Sequence, residues 1–164
     1  MLKVSHATLI ALSGMVWLAV GCFLLPLGLN FVVEALLKEN AALPHPVLNF
    51  LSPYVGGLDQ AALVWIALML FIGFLKGRSV FAKSVKRSVN RIFTLPNPAS
   101  ISQIYTPAYY LLLGSMVLLG VLVRYTTQDI RGGVDIAIGS ALINGAMLYF
   151  RAAWDARKQA SSLR

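Results

Sequence analysis

Residues 58–93 read LDQAALVWIALMLFIGFLKGRSVFAKSVKRSVNRIF. Two physical regimes meet at Lys76. No residue from Gln60 to Leu75 is charged, and Leu58–Leu75 approaches the roughly 20 helical residues that a hydrocarbon core of about 30 Å requires. Beyond it, Lys76, Arg78, Lys83, Lys86, Arg87 and Arg91 crowd a segment in which Phe81, Val85, Val89 and Ile92 recur at helical spacing. The expectation is a membrane span followed by a basic amphipathic helix lying at the membrane surface, with Phe81 and Phe93 as anchors. Pro96 and Pro98 predict that this helix ends near Thr94.

Three other apolar segments accompany this one. The first runs from Ala7 to Leu29, with helix extendable to Leu37, and Pro26 within it predicts a kink or a stop. The others run from Tyr109 to Val123 and from Val134 to Phe150. Composition agrees with a polytopic membrane protein. Of 164 residues, 58% are apolar and 12% charged, where soluble domains run about half and about a quarter. A soluble nucleic-acid-binding domain would not be this apolar, and neither would a disordered basic tail. The runs lack the alternation of an outer-membrane barrel. The single cysteine excludes an internal disulfide framework and a cysteine-based metal cage. The first apolar run exceeds the core of a signal peptide, with no small-x-small site cleanly after it, so it reads as a retained span.

Orientation follows from the cations. The net charge of +8 arises from 14 Lys and Arg against 6 Asp and Glu. With both termini and the middle loop inside, Lys3, the six cations of the middle loop, Arg151, Arg157, Lys158 and Arg164 all lie inside. Only Lys38, Arg124 and Arg131 are left outside. The positive-inside rule therefore predicts cytoplasmic N and C termini for the four expected spans.

The two halves of the chain look alike. Gly56-Gly57-Leu58-Asp59 opens the second segment, and Gly132-Gly133-Val134-Asp135 opens the fourth. Leu12, Met15, Val16, Leu18 and Val20 align with Leu113, Met116, Val117, Leu119 and Val121. Lys76 and Lys83 resemble Arg151 and Lys158. Two parallel-repeat hairpins about an axis along the membrane normal are expected. The predicted fold is an all-α, polytopic four-helix bundle, built as one membrane unit from residues 1–98 (first hairpin plus basic segment) and 99–164 (second hairpin plus basic tail). Asp59 and Asp135 would then stand at equivalent outer helix starts. There they either cap the helices or form an outward mouth for a cation, with Arg131 as a neutralising neighbour.

The remaining candidates concern packing. Gly133, Ala137, Ala141 and Gly145 recur every four residues and predict a close helix contact, and Gly73 and Gly77 form a shorter pair. Asn144 reads as a cross-helix hydrogen bond or a substrate contact, and Ser13, Ser115 and Ser140 as donors to their own helices. Tyr105, Tyr109, Tyr110, Tyr125, Tyr149 and Trp154 fit interfacial belts, and Cys22 reads as a small filler. The Pro-rich, apolar stretch from Lys38 to Gly57 is expected on the outer membrane surface or over the bundle. His45 within it lacks the neighbours of a metal site.

No Ser-His-Asp set, paired glutamates, HExxH, P-loop or dinucleotide fingerprint occurs. No ionisable residue lies near mid-membrane, which argues against an ion-coupled carrier. No catalytic residue, cofactor or metal is expected.

The run Lys76-Gly77-Arg78 with Lys83, Lys86, Arg87, Arg91 and Leu95-Pro96 resembles small four-helix bacterial inner-membrane proteins. The stretch from Asp129-Ile130-Arg131-Gly132-Gly133-Val134-Asp135 through Phe150-Arg151 is similar to the same group. The resemblance implies an inner-membrane setting and supplies no catalytic residues. The functional expectation is a structural or accessory protein whose basic surface meets anionic lipid or a partner protein, or a second copy, but not nucleic acid. The alternatives are a small transporter or channel lined by Asn144, Asp59 and Asp135, and a membrane-embedded enzyme acting on lipid.

Overall fold

A computed structural model describes residues 3–37, 45–94, 99–100, 114 and 118–162. The described chain is essentially all helical. Helix α1 spans His6–Leu37, α2 Pro46–Val55, α3 Leu58–Lys76, α4 Ala82–Thr94 and α5 Gln128–Ser162. Residues 118–123 are also helical. A two-residue antiparallel ladder pairs β1 (Lys3–Val4) with β2 (Ala99–Ser100), tying the N-terminus to the chain after α4. Three helical stretches are long and apolar enough to cross a membrane: His6–Leu37, Leu58–Thr94 and Gln128–Gln159. Most of the expected third segment, with Tyr105, Tyr109, Tyr110 and Ser115, lies outside the described residues.

Helix α5 is the central element. Its most apolar window is 56% buried, against 33% for α1 and 17% for the rod that begins with α3. The cause is that α5 carries small residues on two faces. On one, Gly132, Gly139 and Ala146 oppose Gly28, Gly21 and Gly14 of α1, stepping by seven in opposite directions. Seven residues are close to two helical turns, so α1 and α5 run antiparallel with one small residue meeting another at each repeat. The backbones touch here: a Cβ added to Gly28 would lie 2.7 Å from the Ile136 nitrogen, and one added to Gly132 2.7 Å from the Gly28 oxygen. On the other face, the expected stripe meets α3 and its continuation. Gly133 lies against Trp65, the Ala137 carbonyl against Gly73, the Ala141 carbonyl against Gly77, and Gly145 near Phe81 and Trp17. The pairing now advances in the same direction on both helices, so α3 and α5 run parallel.

Pro26 neither stops nor ends α1, which continues to Leu37. The ring is exposed, and the turns on either side of it are held by Gly21 on Gly139 and Gly28 on Gly132. Helix α5 thereby splints the site where Pro26 removes a backbone donor.

The α3 helix does not bend onto a surface at Lys76. A π-helical turn, Gly77–Phe81, joins it to α4, and Leu58–Thr94 forms one 37-residue rod. Gly73, Gly77, Phe81, Val85 and Val89 recur at a spacing of four. In an α-helix each such step overshoots a full turn by about 40°. The wider π turn absorbs part of that drift and keeps Val85, Val89 and Ile92 pointed at the bundle. These three are buried with Leu9, Ile10 and Trp17 of α1 and Leu142, Ala146, Tyr149, Ala153 and Ala156 of α5. The apolar edge of α4 is therefore covered by protein, not by lipid, which corrects the expected surface-lying helix. Phe81 is not a membrane anchor but packs edge-on to Trp17, ring centroids 4.9 Å apart. Phe93 meets the His6 ring edge-on at 5.8 Å. Tyr149 is 2% exposed and belongs to this core, tilted against Trp17, and not to an interfacial belt. Helix α4 is described to Thr94, and residues 95–98, where the prolines lie, are outside the described residues.

A second core lies at the opposite end, where Val32, Ala35, Leu48, Ala61, Ala62 and Ile136 are buried together. Helix α2 occupies the Pro-rich loop. Pro46 starts it at a position where a missing N–H costs nothing. Leu48 faces the core, with Phe50 and Tyr54 exposed. Gly56 (φ +97°) and Gly57 (φ +151°) turn the chain into α3, conformations that a side chain would resist. Cys22 is exposed on α1 rather than filling a gap.

Candidate functional site

The six predicted cations all remain exposed along the rod. Because α3 continues through the π turn into α4, they are spread along one continuous helical stretch. Arg91 lies about 22 Å beyond Lys76 at 1.5 Å per residue. The structure brings two of the six together. Lys83 and Arg87, with Ser79, Val80 and Ser84, line a groove of about 460 Å³ on the π turn and the start of α4. Their order along the axis is graded, with Val80 and Ser79 nearest the apolar span, Lys83 and Ser84 next, and Arg87 farthest. The Ser79 hydroxyl donates to the Leu75 carbonyl at 2.7 Å, a back-bond within the widened turn. Lys76, Arg78, Lys86 and Arg91 fall outside the groove lining.

The expected outer pair does not form. Asp59 is exposed in the first turn of α3, after a glycine turn. Asp135 is buried within α5, which begins seven residues earlier, and Gly132-Gly133 is helical there. Those two glycines serve packing rather than a turn. The parallel register places Asp135 level with Phe71, about 18 Å along the axis from Asp59. A two-fold axis along the membrane normal would keep equivalent residues at one depth, so the two Gly-Gly-apolar-Asp stretches are not structural equivalents. Arg131 lies over the Phe31 ring at 4.0 Å from its centroid, a cation–π contact.

Asn144 and Ser140 exchange the roles expected of them. The Asn144 amide donates to Ser140 O in its own helix at 3.0 Å. The Ser140 hydroxyl crosses to Leu70 O of α3 at 3.2 Å. Asn144 Cβ also sits against Gly77. Asn144, Asp59 and Asp135 thus lie at three different levels along the bundle.

The polar centre at the α2 end is Asp129, fully buried in the first turn of α5. Its Oδ2 accepts the Val47 N–H at 2.8 Å. Its Oδ1 accepts from the Thr127 hydroxyl and from the Ile130 N–H. Its carbonyl accepts the Trp65 indole N–H at 3.0 Å. One carboxylate thereby caps the start of α2 from another helix while capping its own. His45, the N-cap residue of α2, makes no side-chain cap bond and is buried. Beside this centre, Glu34 accepts from Asn30 and Gln128. A helix-start signal was present in Thr127-Gln128-Asp129, but the partner in α2 carries no mark in the chain. The groove serines, Ser79 and Ser84, are likewise unmarked in the sequence.

Comparison with protein-family models, with curated proteins and with solved structures gives no match.

Proposed function

We propose that this chain is an integral membrane protein of structural or accessory type, with four spans, cytoplasmic termini and a basic cytoplasmic face that binds anionic lipid. The observation that carries the reading is α4. Its apolar edge is consumed by α1 and α5, so its cations are not needed to hold an otherwise loose helix on a membrane. They are displayed on a rigid extension of a span. Each basic residue near an anionic surface contributes about 1 kcal/mol, and that attraction fades over a Debye length of about 8 Å. Lys76, Arg78 and Lys83 stand within reach of the head groups. The register sets Arg87 level with Arg151 of α5, so the far cations of the rod stand at the height where the apolar run of α5 ends.

Two features support four spans. Helices α3 and α5 run parallel, and the sequence between them carries an apolar run from Tyr109 to Val123. The residues of that run at 118–123 are helical, with Leu118, Leu119, Val121 and Leu122 exposed as lipid-facing residues would be.

The test is purification of the full chain in mild detergent after expression in a bacterial membrane, followed by quantification of co-purifying lipids. Enrichment of anionic over zwitterionic lipid, reduced when Lys76, Arg78 and Lys83 are changed together to Gln, is expected. Lipid in bulk proportion, unchanged by the triple substitution, would overturn the proposal.

A further inference from the structure

The apolar belt of the bundle is uneven. On α1, exposed large apolar side chains run from Val33 to Met15, about 27 Å at 1.5 Å per residue and close to the roughly 30 Å of a hydrocarbon core. On the rod they run from Leu63 to Leu75, about 18 Å. Both belts start near one height, since Val32 and Ala62, the neighbours of Val33 and Leu63, are buried together at the α2 end. The rod therefore falls short by about 9 Å at the other end. Gly21 and Gly77 fix the height at which it stops. Gly21 abuts α5 at Gly139 and Ile143, and Gly77 abuts it at Ala141 and Asn144, so the two glycines are level. Gly21 stands near the midpoint of the uncharged run Ala7–Val33, and Ala141–Asn144 near that of the uncharged run Ile136–Phe150. Lys76 and Arg78 flank Gly77 and are exposed, so they stand level with the middle of both runs. This mismatch is internal to the bundle and holds wherever the membrane surface lies.

An exposed cation at that depth is tolerated where water or an anion reaches it, and a short apolar face is matched by a thinner bilayer or by a second protein. Two observations favour the thinner bilayer. The exposed cations do not stop at mid-depth: Lys83, Lys86, Arg87 and Arg91 continue the series to the height of Arg151 and beyond. Between Lys76 and Arg91, Val80 is the one large apolar side chain that is exposed. Head groups and water serve every level of such a series, whereas a partner helix would need an acid at each. The exposed residues from Phe74 to Val80 also include one small side chain, Ser79, because Gly73 and Gly77 face α5; close helix contact within lipid is built on small residues. We propose that this face draws anionic head groups of the cytoplasmic leaflet down along α4 to Lys76 and Arg78, so that the bilayer is thinned beside the rod and of full thickness beside α1. The inference rests on the anionic-lipid reading above and deepens it, from attraction at the surface to a furrow in one leaflet. The aliphatic stem of Lys76 lets its ammonium reach outward along the rod, which shortens the dip that the lipid makes.

The experiment uses the full chain with Cys22→Ser, reconstituted in vesicles of phosphatidylglycerol and phosphatidylcholine. A spin label is attached at Leu75→Cys or at Phe23→Cys. Both positions are exposed, and each lies two residues to the α2 side of its glycine, Gly77 or Gly21, so the labels share one height on two different helices. Relative collision with oxygen and with a water-soluble nickel chelate reports the depth of each. The Leu75 label should read shallower by about 5 Å or more, roughly half of the missing belt. Lys76→Leu/Arg78→Leu should abolish the difference, and vesicles of phosphatidylcholine alone should reduce it. Equal depths in the parent would overturn the inference. A Leu75 label shielded from both oxygen and nickel would overturn it in favour of a protein partner on this face. A difference that survives Lys76→Leu/Arg78→Leu, or that ignores lipid charge, would overturn the role of the cations. Equal depths with anionic lipid still enriched on purification would overturn this inference and leave the broader proposal standing, whereas loss of that enrichment would overturn the broader proposal itself.

Discussion

Substituting Gly28 with Ala tests the contact on which the bundle is built. A Cβ at this position would lie 2.7 Å from the Ile136 nitrogen, 2.8 Å from the Gly132 oxygen and 2.9 Å from Ile136 Cγ1. Comfortable contacts to carbon begin at about 3.5 Å, so α1 and α5 must separate by well over half an ångström. Two of the three obstructing atoms are backbone and cannot rotate away. Overpacking costs typically 1–3 kcal/mol, and the absence of side-chain relief puts this site near the upper figure. Ala is better than Gly in a helix by about 1 kcal/mol, which offsets part of the cost. The net loss expected is about 2 kcal/mol. Gly145→Ala is the matched control. Its nearest neighbours would be Phe81 Cβ at 3.6 Å and Trp17 Cε3 at 3.7 Å, which is ordinary contact, so the helix-propensity gain of up to about 1 kcal/mol survives. The two variants should differ by about 3 kcal/mol, roughly two decades in the unfolding constant. Titration of the detergent-solubilised protein with SDS, followed by tryptophan fluorescence and far-ultraviolet circular dichroism, measures this. The double variant Gly21→Ala/Gly28→Ala should lose less than the sum of its parts, because one displacement of α1 relieves both clashes. Equal stability of Gly28→Ala and the parent, or a loss in Gly145→Ala as large as in Gly28→Ala, would refute the glycine-on-glycine interface.

Three further outcomes are expected. Asp129→Ala should cost about 1–3 kcal/mol in the same titration, since it strands the buried Val47 N–H and removes a charged acceptor; limited proteolysis should show earlier cleavage in residues 45–57. Val89→Lys should lower stability by several kcal/mol because it places an ammonium in the core shared by α1, α4 and α5, whereas Lys86→Gln, on the exposed face, should change it by less than about 0.5 kcal/mol; equal stability of the two variants would mean that α4 is not packed on the bundle. In a Cys22→Ser background, which removes the single cysteine, a cysteine at Lys86 should react with an impermeant maleimide only after the cytoplasmic face is opened, and labelling of intact cells would invert the topology.

Much of the site was legible along the chain because its signals are local. The cations from Lys76 to Arg91 and the helical spacing of Val85, Val89 and Ile92 are one-dimensional patterns. What the spacing did not reveal is which surface covers the apolar edge, since lipid and an apolar helix satisfy Val85 equally well. The sequence also shows the stripe from Gly133 to Gly145. It shows the seven-residue series Gly14, Gly21 and Gly28 just as plainly, but that series acquires meaning only when Gly132, Gly139 and Ala146 face it. Gly132-Gly133 misled for a related reason. Beside Asp135 the pair looks like the turn at Gly56-Gly57, yet a glycine serves a turn or a close contact equally well, and only a neighbouring helix distinguishes them.

Composition and hydropathy by themselves determined that the chain carries helices long and apolar enough to cross a membrane, because lipid demands uncharged runs of fixed length whatever they pack against. The asymmetric placement of cations likewise set the expected orientation without reference to contacts. The tertiary structure alone decided which helix is central, that α3 and α4 form one rod, and that Lys83 and Arg87 share a groove while the other four cations do not. It also placed Asp129 over the start of α2, 82 residues away in the chain. These are consequences of register between segments distant in sequence. Register is fixed by the fit of backbone against glycine and by single buried hydrogen bonds, neither of which leaves a periodic trace in either strand of text taken alone.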